Sequence, residues 1–171
     1  KSRTLNLEES IYFEIISNKT ASLLASACAA GAFSARFSEE DAARLKDFGE
    51  KVGIAFQIKD DLFDYGSEDV GKPTGNDIKE KKLTLPLIYS LNQADKATRR
   101  KIVNMIKNDH KKPEKVKEVI DFVVKSGGIR YATEKMFQYR DEALSILHAF
   151  PESDTRRALE ELVRFTTDRK Y

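Results

Sequence analysis

Gly53-Ile54-Ala55-Phe56-Gln57-Ile58-Lys59-Asp60-Asp61-Leu62-Phe63-Asp64 places carboxylates at positions i, i+1 and i+4, late in a long helical pattern. Residues four apart on a helix stack on one face. Asp60 and Asp64 are therefore expected to point the same way, with Asp61 on their flank. Carboxylates this close repel one another and weaken the helix unless a cation neutralises them. Hard divalent cations take oxygen ligands, and Mg²⁺ commonly combines one or two carboxylates with substrate phosphates. The alternative is an acidic, solvated helix end that binds nothing. The neighbouring residues favour the cation: Gly53, Phe56 and Gln57 precede the aspartates, and Gly71-Lys72, Asp77 and Lys82 follow them. A diphosphate needs metals and cationic side chains together, and this part of the chain offers both.

Working outward, Ser38 followed by Glu39, Glu40 and Asp41 is an N-terminal capping pattern. It starts a helix expected to reach about Tyr65, with Leu45, Phe48, Val52, Ala55 and Phe56 as its core stripe. The carboxylates continue the side that carries Gly53, Phe56 and Gln57, so they emerge from packed surroundings. Upstream, from about Asn6, residues Ile11, Ile15, Leu23, Leu24, Cys28 and Phe33 recur at helical spacing. The small residues between Ala21 and Ala32 would let a neighbouring helix come close. Lys19-Thr20 interrupts this helix, and Lys19 is either a snorkelling stem or a cation aimed into a cleft.

Downstream, Gly66, Gly71, Pro73 and Gly75 break the pattern and form a loop holding Lys72, readable as a lid or as an ordinary connection. Leu83, Leu85, Leu87, Ile88 and Leu91 then make a short apolar helix with Pro86 near its first turn. Ile102, Val103 and Ile106 mark the next helix. From Pro113, the set Val116, Val119, Ile120, Val123 and Val124 keeps a helical period despite its β-branching, and Ser126-Gly127-Gly128 ends it. Ile129, Ala132, Met136, Tyr139, Ala143, Leu147 and Phe150 form a longer helix closed by Pro151. Ala158, Leu159, Leu162 and Phe165 form a last one. No alternating pattern, repeat or low-complexity linker interrupts this, so an all-α fold is expected.

Composition narrows the function. The 171 residues are 40% hydrophobic and 34% charged, as in a globular chain. A net charge of +2 gives no basic field for nucleic acid or an anionic membrane. The single cysteine, Cys28, excludes an internal disulfide and fits a reducing, cytoplasmic setting. It lies among alanines, where a buried thiol is expected rather than a nucleophile. His110 and His148 are far apart and suit no metal. No signal peptide or membrane span is legible, since the most apolar run, Thr20 to Phe33, is too short to cross a bilayer. The chain opens on Lys1 within apparently structured sequence and is expected to be part of a longer protein.

Together, Lys19-Thr20, the run Gly53 to Asp64, Gly71-Lys72 and Asp77 through Lys82-Leu83-Thr84-Leu85-Pro86 resemble the second half of a trans-polyprenyl diphosphate synthase. The likeness covers nearly the whole chain. It is nearest the longer-chain, octaprenyl-like branch through Lys19-Thr20-Ala21 and Thr84-Leu85-Pro86. The resemblance implies the isoprenoid synthase fold, an antiparallel helical bundle around a deep cavity, here as its C-terminal half within residues 1–171. Two aspartate-rich motifs face each other across the cavity mouth and hold Mg²⁺ on an allylic diphosphate. Carried over, Asp60 and Asp64 look like Mg²⁺ ligands, and Asp61 like a partner to metal-bound water or to a lysine. Lys19 and Lys72 look like contacts to the leaving diphosphate. Lys82 resembles a further contact to it, or a support for the motif. Thr20 and Gln57 look like groups lining the path of the allylic cation, so the catalytic set is Lys19, Thr20 and Gln57.

The implied reaction is ionisation of an allylic diphosphate such as farnesyl diphosphate, followed by attack of isopentenyl diphosphate and loss of a proton. It needs no histidine or serine nucleophile. A homodimer is implied as well. No second Asp-Asp-x-x-Asp occurs in the chain; the resemblance puts the first motif and the isopentenyl diphosphate site in a preceding half, so the chain alone is expected to be inactive. Lys59 stands where the family often has Gln. Two other readings compete. A terpene cyclase would carry an Asn/Ser/Glu metal motif in place of Asp60, Asp61 and Asp64. A non-catalytic helical subunit of a heteromeric synthase would show degenerate aspartates, and these are intact.

Overall fold

The computed structural model describes residues 8–66 and 74–168, and every regular element among them is a helix. In order these are α1 (Glu9–Ile16), a π-helical turn (Ser17–Ala21), α2 (Ser22–Ser34), α3 (Glu39–Phe63), α4 (Asn76–Lys79), α5 (Leu85–Gln93), α6 (Lys96–Asn108), α7 (Pro113–Lys125), α8 (Gly128–His148) and α9 (Asp154–Asp168). None is long and apolar enough to cross a membrane. The expected loop residues Gly71, Lys72 and Pro73 lie outside the described residues. Among those described, one compact unit takes residues 8–12 and Asp60–Thr133, and another takes Phe13–Lys59 and residues 134–168.

The unit carrying the aspartates is built on α5, α6 and α7, which pack on one another, with α4 against α7. Its core holds Tyr65, Ile78, Leu87, Leu91, Ile106 and Val119. Pro86 sits in the first turn of α5 and Pro113 in that of α7, where a missing N–H costs nothing. Val116, Val119 and Val123 keep the expected stripe of α7. Val124, expected in the same stripe, is 52% exposed, because it lies one residue round the helix from Val123.

α1 begins in that unit and from Phe13 belongs to the other, where the π turn and α2 continue it through helical dihedrals, with Ile16 at φ −71° and Ser22 at φ −59°. The extra residue of the π turn moves the buried stripe to Tyr12, Ile16, Ala21, Ala25 and Ala32. This corrects the sequence expectation: Ile15, Leu23 and Phe33 are exposed. The helix ends in a left-handed Arg36 (φ 60°), with Phe37 N–H returning to Ala32 O at 3.0 Å, a Schellman closure. Ser38 caps α3 by accepting the Asp41 N–H at 3.1 Å. Phe48 and Val52 of α3 share a core with Ala143, Leu144 and Leu147 of α8 and Val163 of α9. On α9 the inward residues are Val163 and Thr167, whereas Leu162 and Phe165, expected in the core, are 56% and 67% exposed. Leu159, Val163 and Thr167 stack at four-residue intervals, which turns Phe165 to the opposite side.

The small residues of the first helix do admit a close neighbour, through glycines on α3. A Cβ on Gly53 would stand 2.5 Å from Ala21 Cα, and one on Gly49 2.6 Å from Leu24 O. Neither obstacle is a flexible side-chain end, so backbone would have to move. Gly53→Ala is expected to destabilise the protein by about 1–3 kcal/mol, the usual cost of overpacking. Chemical denaturation measures it, and a variant as stable as the parent would mean that the helices part freely.

Candidate functional site

The aspartates sit at the C-terminal end of α3, where the helix dipole is negative and carboxylates are unfavourable without cations. The helix stops at Phe63 rather than near Tyr65. The chain then tightens into i+3 turns: Asp64 N–H to Asp61 O at 3.3 Å, and Tyr65 N–H to Leu62 O at 3.2 Å. Asp64 thus leaves the helix. Its Oδ1 accepts the Asn76 N–H at 2.7 Å and its Oδ2 the Asp77 N–H at 3.1 Å, across the break from α3 to the start of α4. Gly75, left-handed at φ 77°, donates its N–H to Asp64 O at 2.9 Å and makes that approach possible. Burial raises the Asp64 carboxyl, while the two backbone N–H groups oppose the rise.

Asp61 points elsewhere, and it is only 1% exposed. Its Oδ2 accepts the Tyr12 hydroxyl at 2.8 Å and its Oδ1 the Lys82 ammonium at 2.8 Å. Lys82 Nζ also reaches Asp77 Oδ1 at 3.3 Å. Lys81 precedes it in the left-handed region at φ 59°, a local strain that turns the chain after α4. Burial opposes the Lys82 ammonium, yet Asp61 and Asp77 outweigh it and hold the group above the ordinary lysine range. Burial lifts the Asp77 carboxyl to about 6; Lys82 opposes this, and Asp64 and Asp61 add to it. Burial, with the charge of Asp61, also pushes the Tyr12 phenol far up. Beneath them Tyr65 and Thr84 share a buried hydroxyl hydrogen bond of 2.6 Å.

Asp60, Asp61 and Asp64 do not converge as one three-carboxylate cluster; no such group of ligands occurs among the described residues. The reason is local geometry. Asp61 follows Asp60 and is turned by about 100° on the helix, toward Tyr12 and Lys82. Asp60 and Asp64, both half-buried, remain as the pair expected to face a cation. In the other unit, Thr20 Oγ1 donates to Gln57 Oε1 at 3.1 Å, so those two meet directly. Lys19 lies in the π turn and is exposed. Lys72 is outside the described residues. Sequence reasoning missed Tyr12 and the role of Asp77 as a partner of Lys82. Nothing in the spacing marks a tyrosine placed 49 residues before its aspartate.

The donor set fits Mg²⁺ shared with a diphosphate rather than an all-protein cage. Asp60 and Asp64 are hard oxygen donors at a negative helix end. Each Asp64 oxygen spends one lone pair on a backbone N–H and keeps another.

Comparison with known proteins adds four findings. A family model described as polyprenyl synthetase matches residues 1–123. A short chain isoprenyl diphosphate synthase of Methanothermobacter thermautotrophicus is 35% identical over 169 residues, 98% of this chain and 51% of that protein. Among solved structures, a geranylgeranyl pyrophosphate synthase from Bacteroides thetaiotaomicron is 40% identical with a TM-score of 0.88, over 96% of this chain and 55% of that one. A polyprenyl synthase from Caulobacter crescentus, solved with calcium and isoprenyl diphosphate, is 34% identical with a TM-score of 0.89, over 99% and 52%. The chain spans about half the length of the curated relatives it matches, or less.

Proposed function

The chain belongs to the polyprenyl synthetase family, and from that premise we propose that it supplies one aspartate-rich side of a magnesium-dependent prenyltransferase. The enzyme ionises an allylic diphosphate, such as farnesyl diphosphate, and joins it head to tail with isopentenyl diphosphate. Its product is a longer polyprenyl diphosphate, octaprenyl-like on the pattern of Lys19-Thr20-Ala21 and Thr84-Leu85-Pro86. A cytoplasmic homodimer completes the reading.

The observation that carries it is the closed ring at the end of α3. Lys82 bridges Asp61 and Asp77, the Asp77 N–H donates to Asp64, and the Asp64 N–H returns to Asp61 O. An idle acidic surface would leave its carboxylates solvated. Here Asp61 is spent on holding the structure, and Asp60 and Asp64 are the carboxylates that we assign to the cation.

In this role Asp60 and Asp64 hold Mg²⁺, which meets the negative charge growing on the departing diphosphate. Lys19 and Lys72 add ammonium groups to that anion. Thr20 and Gln57, already paired with each other, offer dipoles to the allylic cation. Lys82 acts through Asp61 and Asp77, keeping the aspartates in place. Proton loss at the end needs no base from this chain, in keeping with its two histidines and one cysteine.

Calorimetric titration with inorganic diphosphate tests the proposal. Binding is expected only with Mg²⁺ present, and Asp60→Ala should weaken it by roughly ten- to hundredfold, the scale of one lost charge-assisted contact. Binding that ignores Mg²⁺, or that survives Asp60→Ala intact, would remove the metal role.

A further inference from the structure

Tyr12 lies in α1, outside every motif that points to the proposed chemistry, yet its hydroxyl reaches the centre of the aspartate ring. It is 4% exposed and donates at 2.8 Å to Oδ2 of Asp61, the oxygen opposite the one held by Lys82. A carboxylate gripped on both oxygens by donors from two different segments cannot rotate about χ2 without breaking one of them. The grip also reaches Asp64: the Asp61 carbonyl accepts the Asp64 N–H, and that turn aims the Asp64 carboxylate at Asn76 and Asp77. Lys82 reaches Asp61 from the segment between α3 and α5, whereas Tyr12 reaches it from α1.

We infer that Tyr12 is a positioning residue, whose hydroxyl fixes Asp61 and, through it, the placement of Asp60 and Asp64 for a divalent cation carrying diphosphate. The inference rests on the function proposed above. Groups that orient metal-binding carboxylates without touching the metal commonly change affinity by ten- to a hundredfold when removed. A tyrosine that merely fills the core would have no such effect. Its ring would do that work, and Tyr12→Phe keeps the ring.

Tyr65 provides the control. It too is a buried tyrosine with a hydroxyl hydrogen bond, but its partner is Thr84 rather than an aspartate. Tyr12→Phe and Tyr65→Phe should lose comparable stability on thermal melting. Titrated with Mg²⁺ and inorganic diphosphate at a temperature where all are folded, only Tyr12→Phe should bind more weakly, by about tenfold or more. Asp61→Asn, which keeps the shape and removes the charge that both donors hold, should reproduce the loss; it carries the test if Tyr12→Phe does not fold. Wild-type binding that persists unchanged in Tyr12→Phe, or in Asp61→Asn where that variant carries the test, would overturn the positioning role and leave the proposed function standing. Equal weakening in Tyr12→Phe and Tyr65→Phe would reduce the effect to stability and overturn it too. Absence of Mg²⁺-dependent binding by the wild-type chain would overturn the proposed function, and this inference with it.

Discussion

Incubated with Mg²⁺, farnesyl diphosphate and labelled isopentenyl diphosphate, these 171 residues are expected to give no polyprenyl product above background. The chain holds a single Asp-Asp-x-x-Asp, at Asp60, Asp61 and Asp64, and the family resemblance implies ionisation driven by cations held from two such motifs. Removing one preorganised electrostatic contact from a transition state costs about 10²–10³ in rate, and losing several multiplies the penalty. The shortfall should therefore exceed about 10⁴-fold. Extraction and chromatography of the labelled products decide the matter. Elongation at ordinary enzyme rates would show that residues 1–171 contain every group the ionisation needs.

Lys82→Met is the second large effect, this time on stability. The substitution keeps most of the side-chain volume and removes the ammonium. The Asp61 side chain, 0% exposed, then keeps its charge with one strong donor fewer, while Asp77 loses the cation that opposes its neighbours. Breaking a buried pair from one side costs about 3–5 kcal/mol, because the remaining ion is stranded. Lys82 keeps 36% of its side chain in water, so a loss of about 2–4 kcal/mol is expected. The pH dependence has a definite sign. The folded-state pKa of Lys82 is raised above its ordinary 10.5, so the contribution is complete below that pH and fades as pH climbs through the folded value. Urea denaturation of parent and variant at neutral pH gives the difference. Adding Asp61→Leu to the variant should recover part of the loss, since an apolar pair of similar size strands no charge. A Lys82→Met protein within about 0.5 kcal/mol of the parent would mean that water already screens Asp61.

Much of this was legible wherever one helix decides the outcome. Val116, Val119 and Val123 announced α7 by spacing alone, and Ser38 announced the start of α3 through its own hydroxyl. The aspartates were legible because their repulsion is written within five residues. Contacts between segments were not. Tyr12 sits 49 residues from Asp61, and no local rule links them. The return of Asp64 to Asn76 and Asp77 depends on where α3 stops, and helix ends are set by competing turns that a periodic pattern does not encode. Leu162 and Phe165 misled because an apolar residue in a helix names a face, not the partner that covers it.

The π turn at Ser17–Ala21 makes chain length a conserved quantity at one point of the fold. On an unbroken α-helix Ile16 and Ala25, nine residues apart, would face opposite directions, about 180° out of phase. Both are buried here, because the turn absorbs one residue and brings the two within about 80° of each other. Exchanging side chains within Ser17–Ala21 leaves that timing intact. Gaining or losing a single residue there would rotate everything upstream by about a quarter turn relative to Ala21 and Ala25. For the phase of the helix, substitution in this segment is neutral and insertion or deletion is not, much as a reading frame forgives a changed letter but not a missing one.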